Sequence, residues 1–265
     1  MPQRPHSSRG TGCRAAHSGN NQGSLSLEDL TLRPDCALFL DIDGTLIDLA
    51  PHPDAVVIPA DLTALLQAVS QRLGGALALI SGRALDMIDR LVQPLVLPAA
   101  GEHGALLRLA DGRLEAGITR SVPARWREHL KAEVSDWPGI VIDEKLASIA
   151  VHYRQAPERE DAVRALVHRI AAEDSEFEVL PARMAFEIRP RGADKGTALR
   201  RFLQTPPFHG RRPVFVGDDV TDEDGILAAR AAGGLGLHVA RDFAGQPANV
   251  RRWLKTFAGE PPSGT

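Results

Sequence analysis

The chain has 265 residues, a formal net charge of −3 and an apolar fraction of 43%, which is enough for the core of one large domain or two moderate ones. So small a charge excludes a surface built to hold the polyanionic backbone of nucleic acid, and no apolar run approaches the roughly 20 residues of a membrane helix. The two cysteines, Cys13 and Cys36, make neither a disulfide framework nor a thiolate metal cage, and with no apolar signal segment this points to a reducing, cytoplasmic setting.

Residues 1 to about 25 are rich in Ser, Gly, Asn, Gln and Arg, so burial cannot offset the entropy of ordering them; the reading is a flexible leader ending at residue 30. An apolar run of strand length, Ala37 to Leu40, comes next. Leu62, Leu65, Leu66 and Val69 then repeat at helical spacing, followed by strand-like runs at Leu77 to Ile80 and Leu95 to Leu97. Leu106 to Leu109 and Leu114 to Ile118 flank the turn signal Asp111-Gly112 and read as a hairpin. Beyond it lie a helical stretch around Trp126 to Val134, strands at Ile140 to Ile142 and Ser148 to Tyr153, a helix from Glu158 to Ala172, and strands near Phe177 to Leu180 and Met184 to Ile188. A helix after Asp194 carries Leu199, Phe202 and Leu203, and Val214 to Val216 and Leu235 to Val239 read as strands. Gly259 to Thr265, with two prolines, reads as a flexible tail.

Apolar strands alternating with helices predict an α/β fold, a parallel sheet covered on both faces. The middle of the chain breaks that rhythm. It reads as a smaller α+β domain at residues 106–189, inserted into a core made of 31–105 and 190–258.

In Ala37-Leu38-Phe39-Leu40-Asp41-Ile42-Asp43-Gly44-Thr45 two carboxylates stand at i and i+2 where a buried strand ends, the end at which open parallel sheets bind ligands. Like charges that close need a cation or a proton. A calcium loop shares Asp-x-Asp-Gly but wants Glu at its twelfth position, which counted from Asp41 is His52. A second strand, Val214-Phe215-Val216-Gly217, ends in Asp218, Asp219 and Asp222. Alone these would serve equally as a helix N-cap region; with Asp41 and Asp43 they make a set of hard oxygen ligands suited to Mg²⁺. Ser81, in Leu79-Ile80-Ser81-Gly82-Arg83, and Lys195, in Gly192-Ala193-Asp194-Lys195-Gly196, add a hydroxyl, turn N–H groups and an ammonium able to hold phosphate oxygens.

In this order and strand context the four pieces resemble the haloacid dehalogenase phosphatase superfamily, whose motifs are Asp-x-Asp-Gly-Thr, a Ser or Thr after the second strand, a Lys, and a terminal Gly-Asp-(Asp). The resemblance spans residues 35 to 257 and implies a Rossmann-like core with an inserted α+β cap of the larger, C2 type. Gly101-Glu102-His103-Gly104, Ala150-Val151-His152-Tyr153-Arg154, Phe186-Glu187-Ile188-Arg189-Pro190 and Gly217-Asp218-Asp219-Val220-Thr221-Asp222-Glu223-Asp224 are similar to trehalose-6-phosphate phosphatases in particular.

That resemblance implies hydrolysis of trehalose 6-phosphate to trehalose and phosphate, the last step of trehalose biosynthesis, with Mg²⁺ and an aspartyl-phosphate intermediate. Asp41 would attack phosphorus, Asp43 would protonate the leaving oxygen and then activate water, and Ser81 and Lys195 would stabilise the phosphoryl oxygens. Mg²⁺ would be held by Asp41, the main-chain carbonyl of Asp43 and Asp218, with Asp219 and Asp222 in support. Thr45, Gly82 and Arg83, within the same motifs, are expected at the substrate. Glu102, His103, Lys145, Arg154, Glu187 and Arg189 are expected to hold the sugar, although the Glu144-Lys145-Leu146-Ala147-Ser148 segment departs from the family's pattern.

Other readings remain open on the residues alone. Glu187 and Arg189 alternate on one strand face, which suits a cross-strand ion pair, and His103 and His152 read equally as interior histidines. The same chemistry would serve sucrose 6-phosphate, mannosyl-phosphoglycerate or a hexose phosphate. A non-catalytic phosphosugar-binding module has no need of a nucleophile beside an acid, and a receiver-type domain would lack the insert and Asp43. The expected partner is a small-molecule sugar phosphate, with no nucleic acid and no membrane, and a monomer is favoured.

Overall fold

The strand ahead of Asp41 reads CALFL and is buried at all five positions. Successive strand side chains point to opposite faces, so both faces of its sheet are covered, as a run without alternation implies. The computed structural model describes residues 32–50, 56–117, 120–182 and 184–259; Cys13, the expected leader, His52, Ile118 and residues 260–265 of the expected tail lie outside them.

The chain runs through β1 (Cys36–Leu40), α1 (Leu62–Arg72), β2 (Leu77–Ile80), α2 (Leu85–Val92), β3 (Ala99–Gly101), β4 (Leu106–Arg108) and β5 (Leu114–Ala116). Next come α3 (Ala124–Val134), β6 (Val141–Glu144), β7 (Ile149–His152), α4 (Glu160–Ala171), β8 (Phe177–Ala182) and β9 (Ala185–Pro190). The last stretch holds α5 (Lys195–Phe202), β10 (Arg212–Gly217), α6 (Glu223–Ala231), β11 (Leu235–His238), α7 (Val239–Asp242) and α8 (Pro247–Ala258).

Among the described residues these strands form a seven-stranded sheet, ordered β11-β10-β1-β2-β3-β4-β5, and a four-stranded sheet, ordered β6-β7-β9-β8. Pairing from β11 to β3 is parallel, β4 and β5 add an antiparallel edge, and the small sheet is antiparallel throughout. β1 lies between β10 and β2, so the chain order reverses there and opens a crevice beyond the strand ends. Phe39 of β1 packs on Phe202 of α5 and on Phe208, with ring centroids 6.0 and 5.4 Å away. This cluster fixes β1 against the helix that begins at Lys195, and truncating such a ring costs about 3–5 kcal/mol.

Three expectations need correction. The Asp111-Gly112 hairpin, expected to open the insert, belongs to the large sheet: β4 pairs with β3, Ala100 opposite Leu107, and Leu107 and Leu109 are buried in the larger core. The second core begins only at Val122. Leu95 to Leu97 is not a strand, because Pro94 and Pro98 lack the N–H that a ladder needs and pairing starts at Ala99. Val239 does not end β11 but begins α7, where the His238 imidazole accepts the N–H of Ala240.

Candidate active site

Asp41 leaves β1 with its N–H bonded to the carbonyl of Val216, 3.0 Å away, and Asp218 leaves the adjacent β10. Carboxylate oxygens of Asp41, Asp218 and Asp222 all lie within 4.8 Å of one another. Gly44 makes this possible: at φ +77° a Cβ there would stand 2.0 Å from Asp218 Oδ2, so only glycine admits the carboxylate. Buried Thr45 donates to Asp218 Oδ1 at 3.5 Å. Asp222 is sealed from solvent, and its Oδ2 accepts the N–H groups of Asp218 and Asp219, both at 3.0 Å, which fixes the loop after β10.

Asp194 caps α5 by accepting the N–H of Thr197 at 2.7 Å, and the next residue, Lys195, extends a buried ammonium to Asp41 Oδ1 at 2.7 Å and Asp222 Oδ1 at 2.6 Å. One ammonium faces three carboxylates, and the titration of the group reflects that imbalance. Burial, with Asp222 and Asp218, pushes the Asp41 carboxyl well above its ordinary value against the pull of Lys195. Burial, Asp222 and Asp219 raise Asp218 to about 6. Burial also works against the Lys195 ammonium, but Asp41 and Asp222 hold its pKa above the usual lysine value. An all-oxygen cluster with surplus negative charge fits a hard divalent cation such as Mg²⁺. Asp219 and Asp43 stand apart from that cluster: the Asp219 carboxylate accepts the N–H of Val220 at 2.7 Å, and Asp43 is gripped by Arg83 Nε and Nη2, each at 2.6 Å. Ser81 is buried at the end of β2, its hydroxyl accepting the N–H of Arg83 at 3.2 Å.

A cleft of about 770 Å³ opens over these groups and is walled on the other side by Lys145, His152, Glu187 and Asp143 of the insert. Glu187 is its polar centre. Glu187 Oε1 accepts from Lys145 Nζ at 3.0 Å and from the Ser148 hydroxyl at 2.5 Å, and His103 Nε2 is 3.5 Å from Oε2. Burial alone would raise the Glu187 carboxyl, but Lys145, His103 and Ser148 together hold it well below the carboxylate range. His103 has its own pKa lowered by burial. It fits here because a Cβ on Gly82 would lie 2.7 Å from its Nε2. Arg154 lines an adjoining hollow of about 240 Å³ together with Lys145 and Arg83.

Two expected sugar contacts are placed elsewhere. Glu102 is buried, and both of its carboxylate oxygens accept main-chain N–H groups, of Leu146 and Ala147. Arg189 pairs with Glu178, its partner directly across the strand, at 2.9 Å; the cross-strand ion pair thus exists, but without Glu187. Conversely, Asp143 on the cleft wall is not among the residues expected from the sequence, and of the two readings open for His152 the structure places it on the cleft wall as well. The available signal was spacing: Asp143 lies in β6 two positions before Lys145, which follows the strand's end, and Asp143 sits opposite Ala150 two residues before His152.

A sequence profile of the trehalose-phosphatase family matches residues 39–249. The chain is 44% identical over 204 residues, 77% of each chain, to a protein named probable trehalose-phosphate phosphatase from Sinorhizobium fredii. It is 39% identical over 244 residues to the trehalose-6-phosphate phosphatase of Escherichia coli, covering 86% of this chain and 90% of that one. A solved C-terminal domain of the trehalose-6-phosphate phosphatase of C. albicans superposes with a TM-score of 0.67 at 20% identity, covering 86% of this chain and 93% of that one, which is a likeness of fold.

Proposed function

The chain belongs to the trehalose-phosphatase family, and we propose that it hydrolyses trehalose 6-phosphate to trehalose and inorganic phosphate through an aspartyl-phosphate on Asp41. Its fold is that of the haloacid dehalogenase phosphatases. The observation that carries the reading is the single cleft in which Asp41 and Lys195 face Lys145, His152 and Glu187. Phosphoryl-transfer groups and a polar wall suited to hydroxyl-rich leaving groups thus share one space.

A phosphate monoester resists attack because its anionic oxygens repel a nucleophile, so charge must be neutralised and the attacker held in line. Asp41 Oδ attacks phosphorus and the sugar oxygen departs, which divides one hard displacement into two easier ones. Asp43 gives that oxygen its proton, then takes one from the water that releases phosphate from Asp41. Both Asp43 oxygens are engaged by Arg83, so this step requires one arm of the fork to be given up, and the substrate's phosphate is the competing anion. Ser81 and Lys195 hold the transferring oxygens. Asp41, Asp218 and the Asp43 carbonyl would hold Mg²⁺, supported by Asp222, and the ion would supply charge neutralisation to the phosphate and its attacker.

On the insert, Lys145, Arg154 and Glu187 hold the sugar, joined by Asp143 and His152, and His103 reaches toward Glu187 from the core side. We take the enzyme to work in the cytoplasm as a monomer, on a small sugar phosphate rather than on nucleic acid or membrane. Among the described residues no helix is long and apolar enough to cross a membrane. The test is phosphate release from a panel of sugar phosphates with and without Mg²⁺. Trehalose 6-phosphate should be the best substrate and only with the ion; a better rate on sucrose 6-phosphate or a hexose phosphate would overturn the substrate assignment.

A further inference from the structure

Glu102 and His103 are consecutive non-glycine residues in the left-handed region, at φ +50° and +58°. A Cβ makes that conformation costly, and two in succession persist only where their surroundings hold them there. Their partners account for it. Glu102 Oε1 accepts the N–H of Leu146 and Oε2 that of Ala147, both at 2.8 Å, and both amides lie in the turn between β6 and β7 of the insert. The residues flanking them, Lys145 and Ser148, both donate to Glu187 Oε1, while His103 faces Glu187 Oε2. Ala105 and Ala193 from the large domain and Ala147 from the insert close the same joint as a small apolar cluster. Both oxygens of the buried Glu102 carboxylate are thus engaged by main-chain amides of the turn, and Glu102 is not among the residues lining the cleft.

We propose that Glu102 is a positioning residue, pinning the β6–β7 turn to the core so that Lys145, Ser148 and Glu187 are presented to the leaving sugar opposite Asp41. The pin rests on the contacts alone; its consequence for turnover rests on the function proposed above. Loss of the carboxylate leaves two amides without their charge-assisted acceptor, and the turn then loosens with Lys145 attached to it.

The test uses the full chain with Glu102→Gly, which removes the carboxylate and at the same time relaxes the backbone at φ +50°, and so is not handicapped in folding as Glu102→Ala is. Amide hydrogen exchange of the ligand-free protein, read by NMR, should be at least about tenfold faster at Leu146 and Ala147 than in wild type, with the β1 amides unchanged. Turnover of trehalose 6-phosphate is then measured for Glu102→Gly, Lys145→Ala and the double variant. Because Glu102 acts through the turn that bears Lys145, the double variant should fall no more than about twofold below the worse single one. Unchanged protection at Leu146 and Ala147 overturns the pin whatever the substrate proves to be. Losses that multiply in the double variant overturn its role in presenting Lys145. A wild-type protein inactive on trehalose 6-phosphate would sink the functional reading instead, and the exchange arm alone would decide the pin.

Discussion

Lys195 Nζ lies 2.7 Å from Asp41 Oδ1, and both side chains are all but sealed from solvent. The pair joins the start of α5 to the end of β1 across 154 positions of sequence, and it places a fixed positive charge beside the proposed nucleophile. Replacing Lys195 with Met leaves the Asp41 and Asp222 carboxylates facing each other without it. Phosphate release should fall about 10²- to 10³-fold, and urea unfolding should show a loss of about 3 kcal/mol. Turnover within tenfold of wild type would remove Lys195 from the reaction.

Glu187 should separate sugar recognition from phosphoryl transfer. Its carboxylate gathers Lys145, Ser148 and His103 on the insert side of the cleft. Glu187→Ala should lower kcat/KM for trehalose 6-phosphate by about 10- to 100-fold, the worth of a charge-assisted hydrogen bond or two, and far more than it lowers hydrolysis of a small aryl phosphate. Equal losses on the two substrates would argue that Glu187 supports the fold and not the sugar.

The same residue sets a pH signature on stability. Glu187 is held below its ordinary value of 4.5, so relative to the unfolded chain its ionised form stabilises the fold. That contribution is complete above about pH 5 and is lost as pH falls through the lowered folded-state pKa. The stability gap between wild type and Glu187→Gln, followed by chemical denaturation, should therefore be flat from pH 5 to 7 and narrow below 4.5. A gap that widens on acidification would contradict the sign.

Metal addition gives a readout independent of catalysis. A cation that relieves the crowding of Asp41, Asp218 and Asp222 binds the folded chain alone, and at 100 times its Kd it adds about 2.7 kcal/mol of stability. Mg²⁺ should raise the Tm of the wild type, and Asp218→Asn should abolish most of that rise. An unchanged Tm in wild type at millimolar Mg²⁺ would count against the metal site.

The meeting of Asp41, Asp218 and Lys195 was legible in the sequence because its signals are local. A buried strand ending in Asp41 and Asp43, and another ending in Asp218, carry their own meaning, and a parallel sheet brings such ends together. The insert side was less legible because its meaning depends on pairing. Nothing near Glu102 shows that a turn 44 positions on supplies its partners, and nothing near Arg189 shows that Glu178, rather than a sugar, lies across the strand. The Asp111-Gly112 turn marked a hairpin correctly, yet which sheet it joins is a non-local matter decided at β3. Two signals were present and went unread. Pro94 and Pro98 bracket the mistaken strand, and Val250, Trp253 and Leu254 behind a first-turn proline mark α8.

The carboxylate of Asp41 is the group on which the proposed reaction depends. The most direct measurement is steady-state phosphate release from trehalose 6-phosphate with Mg²⁺ by Asp41→Asn, on protein whose circular dichroism and unfolding transition match those of wild type. With Asp41 as the nucleophile, the loss should be on the order of 10⁴-fold or more; a folded variant that still turns over near the wild-type rate would contradict that role.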